Sequence, residues 1–255
     1  NNYGDIEKEV SIAYARRSTA PGRLPAQSRD YITAASHRFA LTDGLNQYRT
    51  GTLYETLDYE INHLAHDIND LVSYRQTQNA FDGLIGGAVS FDQPLSHGGA
   101  STARLLSWNR TLFWSSALDA VLPLGQTGSV LLAHHEETAC FNDNVITNTY
   151  SARVLPSMLS STEEGHYIPK DGYWWQHTAV SYFDGARSFF SLNRVERQAG
   201  QATVYKYDPY FLNVVEITDP LGNVTRGEID YNNVEPFRLI DPNDNVSEVL
   251  YDALG

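Results

Sequence analysis

The chain has 255 residues, 42% hydrophobic and 19% charged, so it can bury a core and does not have the composition of a disordered segment. Its formal net charge of -13 would repel nucleic-acid phosphates and anionic lipid surfaces. No apolar run approaches the roughly 20 residues that a membrane-spanning helix needs. We therefore expect no nucleic-acid partner and no membrane insertion by this segment.

The N-terminal half predicts strands interrupted by one helix. Alternating apolar residues predict a strand over residues 9–17, and residues 38–61 have the composition of two extended runs. A helix is expected within residues 64–82. Its apolar residues have helical spacing and two aspartates could cap it: Leu64, Ile68, Leu71, Val72, and Asp67 and Asp70. The glycine-rich stretch 81–100 is expected to be loop.

The following 90 residues predict further strands and a second short helix. Residues 104–118 indicate a strand pair, and residues 131–141 indicate one strand. Residues 155–164 are predicted to form a helix that ends at Gly165. We expect the aromatic run 173–175 to lie in the core.

Candidate chemical groups are few. The single cysteine, Cys140, can form neither an internal disulfide nor a cysteine-rich zinc site, and is interpreted as a small buried hydrophobe. His63 and His66 could share a helical face with Asp67 and Asp70, but no recognised zinc motif surrounds them.

The run His134-His135-Glu136-Glu137 resembles a catalytic cluster. Neighbours on a strand point to opposite faces, so these four residues are expected to be charged pairs on a wet face. No phosphate-binding loop and no nucleophile elbow is present in the sequence. We expect no metal, no cofactor and no enzymatic activity.

The most specific feature is a repeat near the C-terminus. The segment 219–225 (DPLGNVT) recurs as 241–247 (DPNDNVS), at an offset of 22 residues, with alternating strands between and after the copies. Asp-Pro opens a turn, and Gly-Asn or Asp-Asn completes it because these residues tolerate positive φ. The predicted turn residues are Asp219, Pro220, Gly222, Asn223, Asp241, Pro242 and Asn245.

Each repeat therefore predicts two short strands joined by a tight hairpin. A single hairpin cannot bury its own face, so such units must stack side by side. Long arrays would form an extended sheet that twists, curls and can close on itself.

Tyr-Asp pairs at 207–208 and 251–252, with the inverted pair at 230–231, punctuate the array. Together with the two turns, they resemble the RHS/YD-repeat family. Further segments keep the order found in the middle-to-C-terminal region of the B component of insecticidal Tc toxin complexes: 2–5, 12–17, 122–126, 137–141, 172–175, 182–186 and 231–255.

The resemblance implies an all-β fold: an extended, curled antiparallel sheet of RHS/YD-type hairpins, part of a hollow β shell, with one or two short helices. It places a pre-repeat β region at 1–200 and the start of the repeats at 201–255. The chain is expected to be a piece of a longer, secreted polypeptide.

The function implied by the resemblance is structural. In that family, the B component and a companion C component wind one shell around a cytotoxic C-terminal cargo and deliver it through a channel-forming A component. Acidic, polar side chains facing the chamber would keep the wall from binding its cargo tightly.

Two alternatives remain open. YD-repeat shells also occur in adhesion proteins, and Tyr173, Trp174 and Trp175 could form an aromatic contact patch for glycans, although core packing explains them too. The two Asp-Pro segments also approach the paired motif of the self-cleaving aspartyl protease in RHS toxins. A structural repeat of 22 residues gives the same spacing, so the spacing does not by itself indicate a protease.

Overall fold

A computed structural model describes residues 1–16, 21–22, 24–44, 47–66, 71–95 and 100–252. Its described residues form two antiparallel sheets of seven strands each, which confirms the all-β prediction. Strand order follows chain order almost throughout, as expected for successive hairpins. The difference from the expected single curled sheet is that the strands divide into two.

The first sheet has the order β1-β2-β3-β4-β5-β7-β6. Its strands are β1 (Lys8–Ala13), β2 (Tyr31–Gly44), β3 (Gln47–Ile61), β4 (Ala103–Phe113), β5 (Ala133–Phe141), β6 (Ile168–Lys170) and β7 (Tyr173–His177). Residues 104–118 thus contribute one strand of this sheet and not the predicted pair, because the chain after Phe113 makes only an isolated bridge, from Trp114 to Val121.

The second sheet has the order β14-β13-β12-β11-β10-β9-β8. Its strands are β8 (Val180–Phe183), β9 (Leu192–Glu196), β10 (Ala202–Tyr207), β11 (Val214–Thr218), β12 (Val224–Asp230), β13 (Glu235–Ile240) and β14 (Val246–Glu248). The change of sheet falls between His177 and Val180, whereas the predicted division at 200/201 falls between β9 and β10. That division stays a prediction about the repeats.

The described residues contain three α-helices: α1 (Tyr74–Gly86), α2 (Asp143–Tyr150) and α3 (Pro156–Ser160). Short 3-10 turns lie at Pro25–Ser28, Ser151–Arg153 and Ala186–Ser188. In the part of the chain that the structure describes, none of the helices is both long and apolar enough to cross a bilayer.

The first predicted helix is displaced. Leu64 lies in irregular chain, and Asp67, Ile68 and Asp70 lie outside the described residues. Helix α1 begins after Ser73, because a capping box with Gln76 satisfies the free N–H groups there. The helix then continues to Gly86, so the glycine-rich stretch 81–100 is not entirely loop.

The second predicted helix is shorter than expected, and a third was missed. Helix α3 covers only Pro156–Ser160, and the N–H of Gly165 donates to the Met158 carbonyl at 3.1 Å, closing the turn beyond it. Helix α2 begins where the Asn142 side chain accepts the Val145 N–H at 3.0 Å.

The main core lies on one face of the first sheet. Ile32, Tyr59, Ile61 and Leu105 are buried there, and Phe81 of α1 covers them. A smaller core lies beneath the other two helices: Ile146, Leu159 and Trp174. The second sheet differs, since among residues 180–248 only Asp208 is buried. Both faces of the second sheet are therefore partly exposed to solvent.

The two faces of the second sheet have different chemistry. Cross-strand registers place one charged set on a single face, with ion pairs between neighbouring strands: Arg194, Lys206, Glu216, Arg226, Glu228, Arg238 and Glu248. The opposite face carries uncharged residues: Val195, Thr203, Tyr205, Ile217, Thr225, Leu239 and Ser247. We call them the charged face and the neutral face.

Candidate functional site

Four successive hairpin turns of the second sheet each begin with an aspartate. These residues follow one another at intervals of eleven: Asp208, Asp219, Asp230 and Asp241. Asp252 continues the series. The structural unit is therefore one strand and one turn of eleven residues, and the 22-residue repeat seen in the sequence is two such units.

Each aspartate closes its own turn. The Asp219 carboxylate accepts the N–H groups of Leu221 and Asn223 at 2.8 and 2.9 Å and the Asn223 side-chain amide at 2.8 Å. Asp241 repeats this arrangement with its own turn, accepting from Asn245 at 2.9 and 2.8 Å. These bonds explain why Asp and Asn stand at fixed positions in the repeat.

The carboxyl groups of Asp208, Asp219 and Asp241 have lowered pKa values. The side-chain amide of Asn223, and then its backbone N–H, holds the pKa of Asp219 below its usual value. At Asp208 burial acts in the opposite direction, but N–H donors such as Leu212 prevail and lower the pKa. A lowered pKa means that these turns gain stability above the unfolded-state value and lose it as pH falls through the folded one.

The fourth residue of each Asp-Pro turn, counted from the aspartate, has a positive φ. Gly222 has φ +84°, and Asp244, which replaces glycine in the second copy, has φ 60°. Pro220 and Pro242 lie beside these residues in the two turns, where a fixed φ is favoured. All seven predicted turn residues thus lie in the β11–β12 and β13–β14 turns.

The paired aspartates do not form a catalytic dyad. Asp219 and Asp241 begin turns at the same end of the strands. Those turns are two strand spacings apart, about 10 Å. Each carboxylate is also occupied by the N–H groups of its own turn. Sharing a proton requires two carboxyl groups in contact, so this arrangement does not support proteolysis.

The tyrosines of the Tyr-Asp pairs bind the preceding strand of the sheet. The Tyr207 hydroxyl donates to the Leu192 carbonyl at 3.1 Å, and the Tyr251 hydroxyl donates to the Pro236 carbonyl at 2.8 Å. Both bonds span 15 residues. In the Tyr207-Asp208 pair, the tyrosine therefore links two strands and the aspartate closes the turn that follows.

A row of charges crosses the first sheet. Register pairs align Arg38, Glu55, Arg110, Glu137 and His177 on five neighbouring strands. The sequence did not reveal this row, because its members lie far apart in the chain and meet only through strand register.

Glu55 is the centre of that row and is 1% exposed. Its carboxylate accepts from Arg38 at 2.7 Å, from Arg110 at 2.9 Å and from the Trp108 indole at 2.7 Å. The Arg110 guanidinium lies 4.3 Å from the centres of both the Trp108 and Trp175 rings. A buried charge tolerates this position because several polar and aromatic partners compensate for lost water.

The proposed aromatic contact patch is largely core. Trp174 and Trp175 are 6% and 0% exposed, and their indoles donate to Asp143 and to the Lys170 carbonyl at 2.7 and 2.8 Å. Tyr173 is half-buried beside Trp108. The two tryptophan faces are therefore not available to stack on sugar rings.

The histidine run departs from the expected alternation. The β4–β5 register shifts between Leu112 and Phe113, so His134 is the extra residue of a β-bulge. A bulge can place consecutive side chains on one side of a strand. The Nδ1 atoms of His134 and His135 are in hydrogen-bond contact, and the prediction that these neighbours point apart is wrong.

No cluster suited to a metal ion occurs among the described residues. His66 instead lies 3.5 Å from Asp30, and Asp67 and Asp70 lie outside the described ranges. The Cys140 thiol is half-buried, and burial raises its pKa. A raised pKa disfavours the nucleophilic thiolate.

No protein-family model matches the chain, and no curated protein matches it by sequence. Its fold is similar to solved toxin structures. The TcdB2-TccC3 crystal structure matches with a TM-score of 0.75 and 20% identity over 100% of this chain and 13% of that one. The TcdB2-TccC3-Cdc42 structure matches with a TM-score of 0.75 and 19% identity over 99% and 12%.

The Photorhabdus luminescens Tc holotoxin pore matches with a TM-score of 0.71 and 18% identity, over 98% of this chain and 12% of that one. The chain thus spans only 12–13% of these matched chains. The resemblance to the Tc toxin B/C repeat region is confirmed at the level of fold, across nearly every residue.

Proposed function

We propose that this chain is a wall segment of a hollow β shell in an RHS/YD-type toxin complex, with a structural and not an enzymatic role. The observation that carries the proposal is the eleven-residue hairpin array within a fold that matches Tc toxin chains along its whole length.

The geometry of the second sheet supports a wall. Each eleven-residue unit adds one strand beside the last, so the array can extend without a change of design. Its two faces are both partly exposed and chemically different. Such a sheet can separate a chamber from the outside, and we assign the charged face to the chamber.

The charged face suits an unfolded cargo. Its acids are paired with arginines, as in Glu216 with Arg226 at 3.1 Å, so charged pairs separate the apolar positions of this face, such as Val204. We propose that a companion RHS-repeat chain supplies the cargo and the rest of the wall, that a channel-forming component receives it, and that the assembly is secreted.

The adhesion alternative finds less support. It depended on aromatic rings that could stack on sugars, and Trp174 and Trp175 are buried. The hairpin array is compatible with either role, but the similar structures are toxin complexes.

Protease protection tests the proposal. The full-length parent would be co-expressed with its companion repeat chain, and the purified complex would be treated with trypsin. We expect a C-terminal segment of the companion to survive until denaturant or acid opens the complex. Immediate digestion of that segment would mean that there is no closed chamber and would favour adhesion.

A further inference from the structure

Three histidines meet where the first sheet passes into the second. The ring centres of His134 and His135 are 4.7 Å apart, and those of His135 and His177 are 5.1 Å apart. His177 ends β7, and the next strand of the chain, β8, begins at Val180. The cluster therefore lies at the junction of the two sheets.

The same side chains contact the groups that hold the junction. His134 packs against the Trp114 ring at 4.3 Å, and the Trp114 indole donates to the Ser181 carbonyl at 2.7 Å. His177 Nδ1 contacts the Thr178 carbonyl at 2.9 Å. Because a carbonyl only accepts, this nitrogen carries a proton.

Backbone bonds complete the junction. The Thr178 N–H donates to the Glu136 carbonyl at 2.8 Å, and the Glu136 N–H donates to the Thr178 hydroxyl at 2.9 Å. Glu136 lies between His135 and Glu137 in the chain. A movement of the histidines on β5 must therefore disturb the bonds that join the sheets.

The contact between two Nδ1 atoms limits the charge that the pair can hold. One nitrogen must donate and the other must accept, so the contact survives in a neutral or singly charged pair. If both rings are protonated, two N–H groups face each other and the contact breaks. A protonated His177, whose ring centre lies 5.1 Å from that of His135, would add further repulsion.

We propose that the His134–His135–His177 cluster is a pH-sensitive latch, which holds the two sheets together near neutral pH and loosens their junction under mild acid. The proposal concerns the junction alone and does not depend on the chain being part of a shell.

The environment of His134 gives the direction of the effect. Burial, followed by the nearby His135 and His177, lowers the pKa of His134 from 6.5 to about 4. If the junction opens, His134 regains its ordinary pKa of 6.5 and binds a proton below that pH. In the closed junction the pKa of His134 is about 4, so the proton binds only at lower pH. The closed form is therefore unaffected above that value and is progressively disfavoured as pH falls towards 4.

The other charged groups around the cluster do not reverse this. On β5, burial raises the pKa of Glu137 but hydrogen bonds from His135 and Lys170 outweigh it, so its pKa is lowered and it stays ionised. The two nearby cations are each paired with a carboxylate: Lys170 of β6 with Glu137 at 3.2 Å, and Arg194 of β9 with Glu196 at 2.8 Å. One further carboxyl group belongs to the junction: that of Glu136, whose backbone bonds to Thr178.

Hydrogen exchange of the full chain tests the latch. The Thr178 amide reports the junction, and the Leu105 amide, bonded to Val89 at 2.9 Å in the first sheet, serves as reference. After correction for intrinsic exchange, we expect Thr178 to lose about tenfold in protection relative to Leu105 between about pH 7 and pH 5.

Variants distinguish the latch from general acid sensitivity. His134→Phe keeps the ring against Trp114 but cannot be charged, so the loss of protection should disappear. His177→Asn keeps a donor for the Thr178 carbonyl, and the loss of protection at low pH should become smaller in this variant. His37→Phe, outside the cluster, should retain the full response. An unchanged wild-type protection, or an equal loss in both cluster variants, would overturn the proposal.

Discussion

Replacement of Glu55 by glutamine should lower the free energy of unfolding by about 3 kcal/mol, because it removes the buried carboxylate that Arg38 and Arg110 share. Arg110 would then keep only the exposed Asp171 carboxylate, at 2.8 Å. Glu55 is 1% exposed and Arg110 is 6% exposed, with 2.9 Å between Oε1 and Nε. The neutral amide also keeps only part of the acceptor capacity that Arg38, Arg110 and Trp108 use. Urea unfolding followed by circular dichroism measures the change.

A matched surface pair provides the control. Glu216 and Arg226 are also cross-strand partners, at 3.1 Å, but their side chains are 27% and 53% exposed. Glu216→Gln should cost less than about 1 kcal/mol, since solvent screens such pairs. Equal losses in the two variants would mean that Glu55 is not the buried centre of the charge row.

Trp175→Ala should destabilise the chain by about 4 kcal/mol, as expected when a large buried aromatic side chain leaves a cavity. Trp175 is 0% exposed, lies 5.0 Å from the Trp108 ring centre, and donates to the Lys170 carbonyl at 2.8 Å. Its loss also removes one of the two rings that contact the Arg110 guanidinium.

The same unfolding measurement compares this variant with an exposed apolar residue. Leu221 is 88% exposed at the tip of a hairpin, and Leu221→Ala should change stability by no more than about 0.5 kcal/mol. A small effect at Trp175 would place its ring at the surface and restore the aromatic contact patch as a candidate glycan site.

The repeats illustrate what the sequence could predict. Asp219 and Asp241 share an obvious Asp-Pro motif, so their turns and the strands between them were predictable from turn chemistry. The eleven-residue unit was concealed because Asp230 lacks the following proline and the Asp208 turn carries large apolar residues. The carboxylates perform the same task in each turn, but their neighbours differ.

Helix α1 shows how tertiary packing overrides composition. Gly83 and Gly86 favour loop, yet Phe81, Leu84 and Ile85 have the spacing of a buried helical face and pack on the main core. The helix was therefore predicted in the right region but displaced in the chain.

The charge row and the histidine cluster could not be predicted for a different reason. Both depend on strand register, and the cluster also depends on a bulge at His134. A shift of one residue would reverse the face of each side chain. The sequence alone does not fix that register over separations such as that between Glu55 and Arg110.

Paired cysteine labelling tests whether this sheet is a wall. Val204 of β10 and Ile217 of β11 are β-branched and similarly exposed, at 43% and 38%, but register places them on the charged and neutral faces respectively. Val204→Cys and Ile217→Cys would be made separately with Cys140→Ser. Each would be treated with a bulky maleimide in the free chain and in the assembled parent complex.

Both cysteines should react in the free chain. In the complex, the shell account predicts that Ile217→Cys still reacts and that Val204→Cys is protected until the complex is opened. If Ile217→Cys were protected and Val204→Cys reacted, the neutral face and not the charged face would be the inner surface. Equal reaction of both cysteines in the assembled complex would contradict the central claim that this sheet separates a chamber from the outside.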